Sequence, residues 1–243
     1  MTSSKLELLN FISSSNLNLI ISKKSYYSII PIVSLVLNEY AINQKKRIYM
    51  YCLENSRPFY ISNLISLITK IDIHTIHNYN NPCNSYDAID KNTLKSSEYD
   101  NYLNGMKQII ESDLLVGDYT DNFNNHISLK DPLDTILLDF NKNELMRKTE
   151  IIIIDSLSLL IEKSKYREEE IFNRIKAYNK KYHTKFLIFD SWNNFTNRKD
   201  IDNIVTVDQI KIDDKSSKLI LDNYNSTIQI ELDDKKIIEN KFK

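Results

Sequence analysis

Ile151-Ile152-Ile153-Ile154-Asp155-Ser156 is the stretch on which the fold turns. Four consecutive β-branched residues without a polar interruption suit a strand buried on both faces, the condition of a parallel strand covered by helices on either side. The carboxylate that follows stands at the strand's carboxyl end, where open α/β sheets gather their ligand-binding groups. In nucleotide-binding proteins of that class an acid at this point holds Mg²⁺ or polarises a water.

The same grammar recurs on both sides of this run. Asn18-Leu19-Ile20-Ile21-Ser22 reads as a first strand, and Arg47-Ile48-Tyr49-Met50-Tyr51-Cys52-Leu53 as a second that ends at Glu54. Leu114 to Asp118 is a short strand, and Phe186-Leu187-Ile188-Phe189-Asp190 another of the buried type. Apolar residues at helical spacing predict helices near 6–12, 30–43, 57–70, 97–111, 133–148 and up to Tyr182, the last carrying Ile171, Phe172, Ile175 and Tyr178 on one face. Pro31 is compatible with a helix start, since the first turn has spare amide positions. Residues 71–95 are polar, rich in Asn, and predict little regular structure. After residue 203 the pattern becomes β, with runs at 204–207, 218–221 and 228–232 and a last strand near Ile237. The expected class is α/β: a mostly parallel sheet flanked by helices and extended by antiparallel strands at its C-terminal end.

Composition narrows the function classes. Of 243 residues, 42% are hydrophobic and 27% charged, as in soluble globular proteins. No apolar run approaches the roughly 18 residues of a membrane span, and the first residues lack the pattern of a secretory signal. The expectation is one domain over 1–243, with its core from about residue 16, in the cytoplasm or another intracellular compartment. A formal charge of −1 supplies no bulk attraction to nucleic acid, so DNA binding would need a local basic patch. Two cysteines, Cys52 and Cys83, make no disulfide framework. His74, His77 and Cys83 lack a credible fourth ligand, and no metal site is expected.

The order of these segments resembles the C-terminal, RecA-like motor domain of DnaB-type replicative helicases, over nearly the whole chain from Asn18 to Phe242. Tyr51-Cys52-Leu53-Glu54-Asn55-Ser56 is similar to that family's second strand, whose glutamate activates the attacking water. Ile151 to Leu160 resembles its Walker B strand and the turn beyond. Arg167-Glu168-Glu169-Glu170-Ile171 and the helix after it also fit. The resemblance implies an ATP-dependent DNA helicase fold, with Glu54 and Asp155 at the catalytic positions.

The departures fall on the chemistry. The family's phosphate loop uses glycine amides and a lysine to hold the β- and γ-phosphates. Here Ser25 to Val33 contains neither glycine nor lysine, and Ile29, Ile30 and Pro31 stand in the region of the expected Gly-Lys-Thr. The whole chain has only two glycines. Asp190-Ser191-Trp192 replaces the glutamine that senses the γ-phosphate, and Asp222-Asn223-Tyr224-Asn225 replaces the stretch carrying the family's lysine and arginine finger. Losing one preorganised charge-stabilising group costs roughly 10²–10³ in rate, and an arginine finger about 10³–10⁵.

The expectation is therefore a DnaB-like RecA fold with a degenerate nucleotide site, in which Glu54 and Asp155 are inherited remnants. Lys23, Lys24 and Ser28 are the candidates for any residual phosphate contact. Lys163, Lys165, Arg167, Arg198 and Lys199 are the candidates for a nucleic-acid backbone. No nucleotide is expected; ATP and Mg²⁺ belong to the alternative, an active helicase or ATPase with an unorthodox phosphate loop. The partners implied are an active replicative helicase or other replication proteins, DNA, and a homo- or hetero-oligomer, with no membrane. The role implied is that of a non-catalytic accessory or regulatory factor in DNA replication.

Overall fold

In the computed structural model, residues 9–23, 29–80, 94–119, 131–143, 148–191, 201–211, 216–223 and 227–233 are described. Among them runs an eight-stranded sheet: β1 (Leu17–Ser22), β2 (Ile48–Cys52), β3 (Leu114–Asp118), β4 (Ile151–Ile154), β5 (Lys185–Ser191), β6 (Asn203–Lys211), β7 (Ser216–Asp222) and β8 (Thr227–Asp233). Their order across the sheet is β3-β2-β4-β5-β1-β6-β7-β8. The pairings from β3 through β6 are parallel, and β6–β7 and β7–β8 are antiparallel. The expected class, a mostly parallel sheet with an antiparallel C-terminal extension, is what the chain adopts.

Two-residue alternation along each strand feeds two cores, one per face. Ile20, Met50, Ile151, Ile153, Leu187 and Phe189 point to one side, against α1 (Ile30–Val36) and α2 (Arg57–Thr69). Leu19, Tyr51, Ile152, Ile154, Phe186 and Ile188 point to the other, against α5 (Pro132–Asn143), α6 (Leu157–Lys163) and α7 (Glu168–Tyr182). This is why Ile151 to Ile154 are apolar without a break: each faces a helix layer, and each contributes about 1.5–3 kcal/mol by leaving water. A smaller cluster of Ile65, Ile71, Ile76 and Tyr102 joins α2 to α3 (Ile73–Asn80) and α4 (Ser96–Ile110).

Three local features differ from the sequence expectation. The stretch after residue 71 is not irregular throughout: α3 forms there, started by the Asp72 carboxylate accepting from His74 N at 2.9 Å and Thr75 N at 3.4 Å. The turn beyond β4 is a helix, α6, capped by the Ser156 hydroxyl, which accepts from Leu159 N at 3.2 Å. The helix expected from 30 to 43 is α-helical only to Val36 and continues as a π-helix over Leu37–Asn43. The buried Glu39 anchors that wider coil by accepting from Asn43 Nδ2 at 2.8 Å and Gln44 Nε2 at 3.1 Å. Ile237 lies outside the described residues.

Both glycines serve close packing. A Cβ on Gly105 would lie 2.6 Å from Thr69 Cγ2, and one on Gly117 would lie 2.5 Å from the Tyr49 hydroxyl.

Candidate functional site

Three of the four strands at one side of the sheet, β3, β4 and β5, end in aspartate at or just beyond their last residue, or one residue before it: Asp118, Asp155 and Asp190, all buried. A carboxylate held out of water needs donors, and at this edge the donors are the backbone amides of the adjacent loops. Asp118 accepts from Arg57 N at 2.8 Å, tying β3 to the start of α2. Asp155 accepts from Leu53 N at 2.5 Å, from Glu54 N at 3.1 Å and from Asn55 N at 3.2 Å. It also accepts from the Tyr60 hydroxyl at 3.0 Å. Asp190 accepts from Ser158 N at 3.0 Å, Ser158 Oγ at 2.7 Å and Ser191 N at 2.8 Å. Each strand end thus grips the loop leaving its neighbour or its own next amide.

Asp155 has no exposed surface. Burial pushes its carboxyl up to about 6, against the opposing pull of the Leu53, Asn55 and Glu54 amides and the Tyr60 hydroxyl. Asp190 is likewise raised, first by burial and further by the negative charge of Glu54, despite its bonds from Ser158 and Ser191. Glu54 itself is exposed. In the sheet, β5 lies between β1 and β4, so Asp190 stands between the exit of β1 and Asp155.

Beyond β1 the chain re-enters the described residues at Ile29, which is fully buried, as are Ile32 and Val33; Ile30 is 5% exposed. The first turn of α1 has no side-chain cap, no acidic residue and Pro31 at its start. Lys23 is paired with Asp222 at 3.5 Å, both side chains more than a third exposed. Lys24 and Ser28 lie outside the described residues, as do Arg198 and Lys199.

The basic segment after α6 is brought together, but largely with internal partners. Lys165 Nζ sits 2.7 Å from Asp134, which also receives Arg174 Nη1 at 2.8 Å and the Tyr166 hydroxyl at 3.0 Å. Although burial acts upward, hydrogen bonds from Lys165, Arg174 and Tyr166 hold the Asp134 carboxyl below its ordinary value. Lys163 Nζ lies 5.3 Å from the Tyr119 ring centroid. Arg167 occupies the N-cap position of α7 and is exposed. His77 is stacked on Phe59, with ring centroids 5.7 Å apart, and Cys83 lies outside the described residues.

Sequence reading missed Tyr60, Asp118 and Ser158 as members of this edge and treated Asp190 only as a substitution. The available signal was repetition: Leu-Leu-Val-Gly-Asp, Ile-Ile-Ile-Ile-Asp and Phe-Leu-Ile-Phe-Asp each close an apolar run with the same residue.

No protein-family model matches the chain, and no curated protein sequence matches it. Solved structures do. One, of a DnaB-like replicative helicase described with its interactions with primase, superposes with a TM-score of 0.67 at 12% identity, over 98% of this chain and 59% of that one. A second, an ATPase domain, gives a TM-score of 0.59 at 14% identity, over 92% of this chain and 82% of that one. The chain spans less than two thirds of the helicase it resembles. No helix among the described residues is long and apolar enough to cross a membrane. At such identities the likeness speaks for architecture: the chain has the RecA-like α/β fold of DnaB-type helicase motor domains.

Proposed function

We propose that this protein is a non-catalytic relative of DnaB-type helicase motors, an accessory or regulatory factor of DNA replication that acts by binding an active helicase subunit or another replication protein. The observation that carries the reading is the state of Asp155. Its two oxygens are engaged by three backbone amides and a phenol in a fully buried position, so it serves to hold the β2–α2 loop. A magnesium ion or an activated water would have to displace those donors.

The surroundings support the same reading. The described residues do not fit a nucleoside triphosphate. Ile29 and Ile30 are buried at the start of α1, where the fold's phosphate-binding members offer amides and a lysine. Asp190 and Glu54 add negative charge at the edge a triphosphate would approach. Lys23, the described cation nearest the exit of β1, is paired with Asp222. Like charges at this edge disfavour an anionic ligand, and fixed hydrophobic side chains give it no compensating contact.

The test is nucleotide binding and turnover. A ligand that binds only the native state raises its thermal midpoint by mass action. The expected result is no shift with ATP–Mg²⁺ at millimolar concentration and no phosphate release above background. A saturable shift, or turnover that disappears in Glu54→Ala protein, overturns the proposal. Co-sedimentation with an active DnaB-type helicase tests the partner, and a salt series with single-stranded DNA tests a phosphate-backbone contact.

A further inference from the structure

At the opposite end of the sheet, below the amino ends of β4 and β5, lies a cavity of about 250 Å³ whose lining includes Tyr40, Lys46, Lys148, Glu150, His183 and Lys185. Three lysines and a histidine face one carboxylate. None of Lys46, Lys148 and Lys185 forms an ion pair among the described residues. Convergent ammonium groups repel one another, and folding retains them only where other interactions fix the backbone.

The backbone around the cavity is fixed. Glu150 N donates to Arg47 O at 3.0 Å, Lys185 N to Glu150 O at 2.9 Å, and Lys46 N to Tyr40 O at 2.8 Å. Lys45, next to Lys46, and His183, which ends α7, adopt left-handed conformations with φ of 54° and 55°. This is an ordinary way for a helix to end, adopted also by Lys70 after α2 with φ of 63°. The π-helix delivers Tyr40 to the cavity wall, where its hydroxyl shares a 2.8 Å hydrogen bond with Ser13 Oγ and its ring lies 4.6 Å from Lys46 Nζ. Lys185 Nζ donates to the Ser13 carbonyl, which leaves it two further donors. Burial, and then the Lys46 charge, push the Lys185 ammonium below the ordinary lysine value, a repulsion that a bound anion would relieve.

We propose that this cavity binds a small phosphate-bearing ligand, with its phosphate between the Lys46, Lys148 and Lys185 ammonium groups and the His183 imidazole and Asn16 amide at its margin. A phosphate monoester carries about −1.5 to −2 charge and three acceptor oxygens, which matches the surplus of cations over Glu150 better than a single carboxylate does. The volume is below the roughly 300–1,000 Å³ of pockets for drug-sized molecules, which favours a phosphate with a short appendage. The site stands apart from the carboxyl edge of the sheet and does not rest on the fate of the nucleotide position.

The experiment is calorimetric titration of the intact chain with inorganic pyrophosphate at constant ionic strength, with sulfate and short single-stranded DNA as separate arms. Saturable binding of one pyrophosphate per chain is expected, weakened at least about tenfold by Lys148→Gln and by Lys46→Gln. Both side chains reach solvent and each substitution relieves repulsion among the ammonium groups, so the thermal midpoint of each free variant should equal or exceed that of the parent. Absence of saturable binding overturns the proposal. So does binding that both variants leave unchanged, which would put the anion elsewhere on the chain. Sulfate that binds as tightly as pyrophosphate would also overturn it, by reducing the site to a general anion trap. DNA that displaces pyrophosphate, binds more tightly and loses that affinity in the same variants would replace the small ligand with a nucleic-acid strand.

Discussion

The Tyr60 hydroxyl donates to Asp155 Oδ2 at 3.0 Å, linking the first turn of α2 to the end of β4 across 95 residues of sequence. Asn55 Nδ2 lies 3.4 Å from the same phenolic oxygen, so the loop between β2 and α2 is held at both its backbone and its side chains. Through these bonds Asp155 clasps the β2–α2 loop to the carboxyl edge of the sheet.

Tyr60→Phe removes that donor to the carboxylate together with the acceptor of the Asn55 amide. Hydrogen bonds to charged groups contribute about 1.5–3 kcal/mol, and the remaining amides moderate the loss. The variant should lose about 1–2 kcal/mol in denaturant unfolding at neutral pH, with the Asp155 carboxyl titrating at higher pH by NMR. An unmoved titration would show that Tyr60 does not support the charged form.

Asp155 also predicts a pH dependence. Its folded carboxyl is raised from an ordinary 3.8 to about 6, so the native state holds this proton more tightly than the unfolded chain does. The contribution is full below about pH 4 and is lost as pH rises through about 6, a change on the order of 3 kcal/mol. Asp190 is raised too and acts in the same direction. Unfolding free energies of Asp155→Asn protein should show a shallower decline between about pH 4 and 6. A slope equal to that of the parent would assign the effect to other groups.

Ile30→Lys places a cation at the start of α1, where the side chain is 5% exposed. An unpaired ammonium there must be desolvated or deprotonated, and a loss of about 3 kcal/mol or more is expected. Thermal scans with ATP–Mg²⁺ should show no nucleotide-dependent recovery. Recovery would mean that the first turn of α1 still accepts a phosphate.

Asp134→Ala strips Lys165, Tyr166 and Arg174 of their shared acceptor, while Asp131 still holds the turn between α6 and α7 by accepting from Ser164 Oγ and Lys165 N. A loss of about 1–2 kcal/mol is expected by chemical denaturation at neutral pH. The folded carboxyl lies below its ordinary value, so its contribution is present above that value and disappears as pH falls. The difference between parent and variant should therefore narrow in acid. Lys165→Ala should cost less, because its ammonium is exposed and its pair is screened.

The strands were legible because burial on both faces of a parallel sheet demands uninterrupted apolar runs, as in Ile151 to Ile154, and such runs are local in sequence. α3 was hidden because its helix rests on Asp72 capping and on Ile76 packed with Tyr102, a contact made by a distant helix. The π-helix was hidden because its period differs too little from that of an α-helix to register in the spacing of apolar residues, while Glu39 is satisfied only once Asn43 and Gln44 fold back on it.

The amino-acid sequence by itself determined the sheet, its layers and the absence of glycine and lysine at Ile29 to Pro31, since composition and hydrophobic period are properties of neighbours along the chain. Only the tertiary structure decided what the carboxylates and cations do. Hydrogen bonds and Coulomb forces act through space, so Asp155 meets the Leu53 amide, Asp134 meets Lys165, and Lys46, Lys148 and Lys185 converge only after strands far apart in sequence lie side by side.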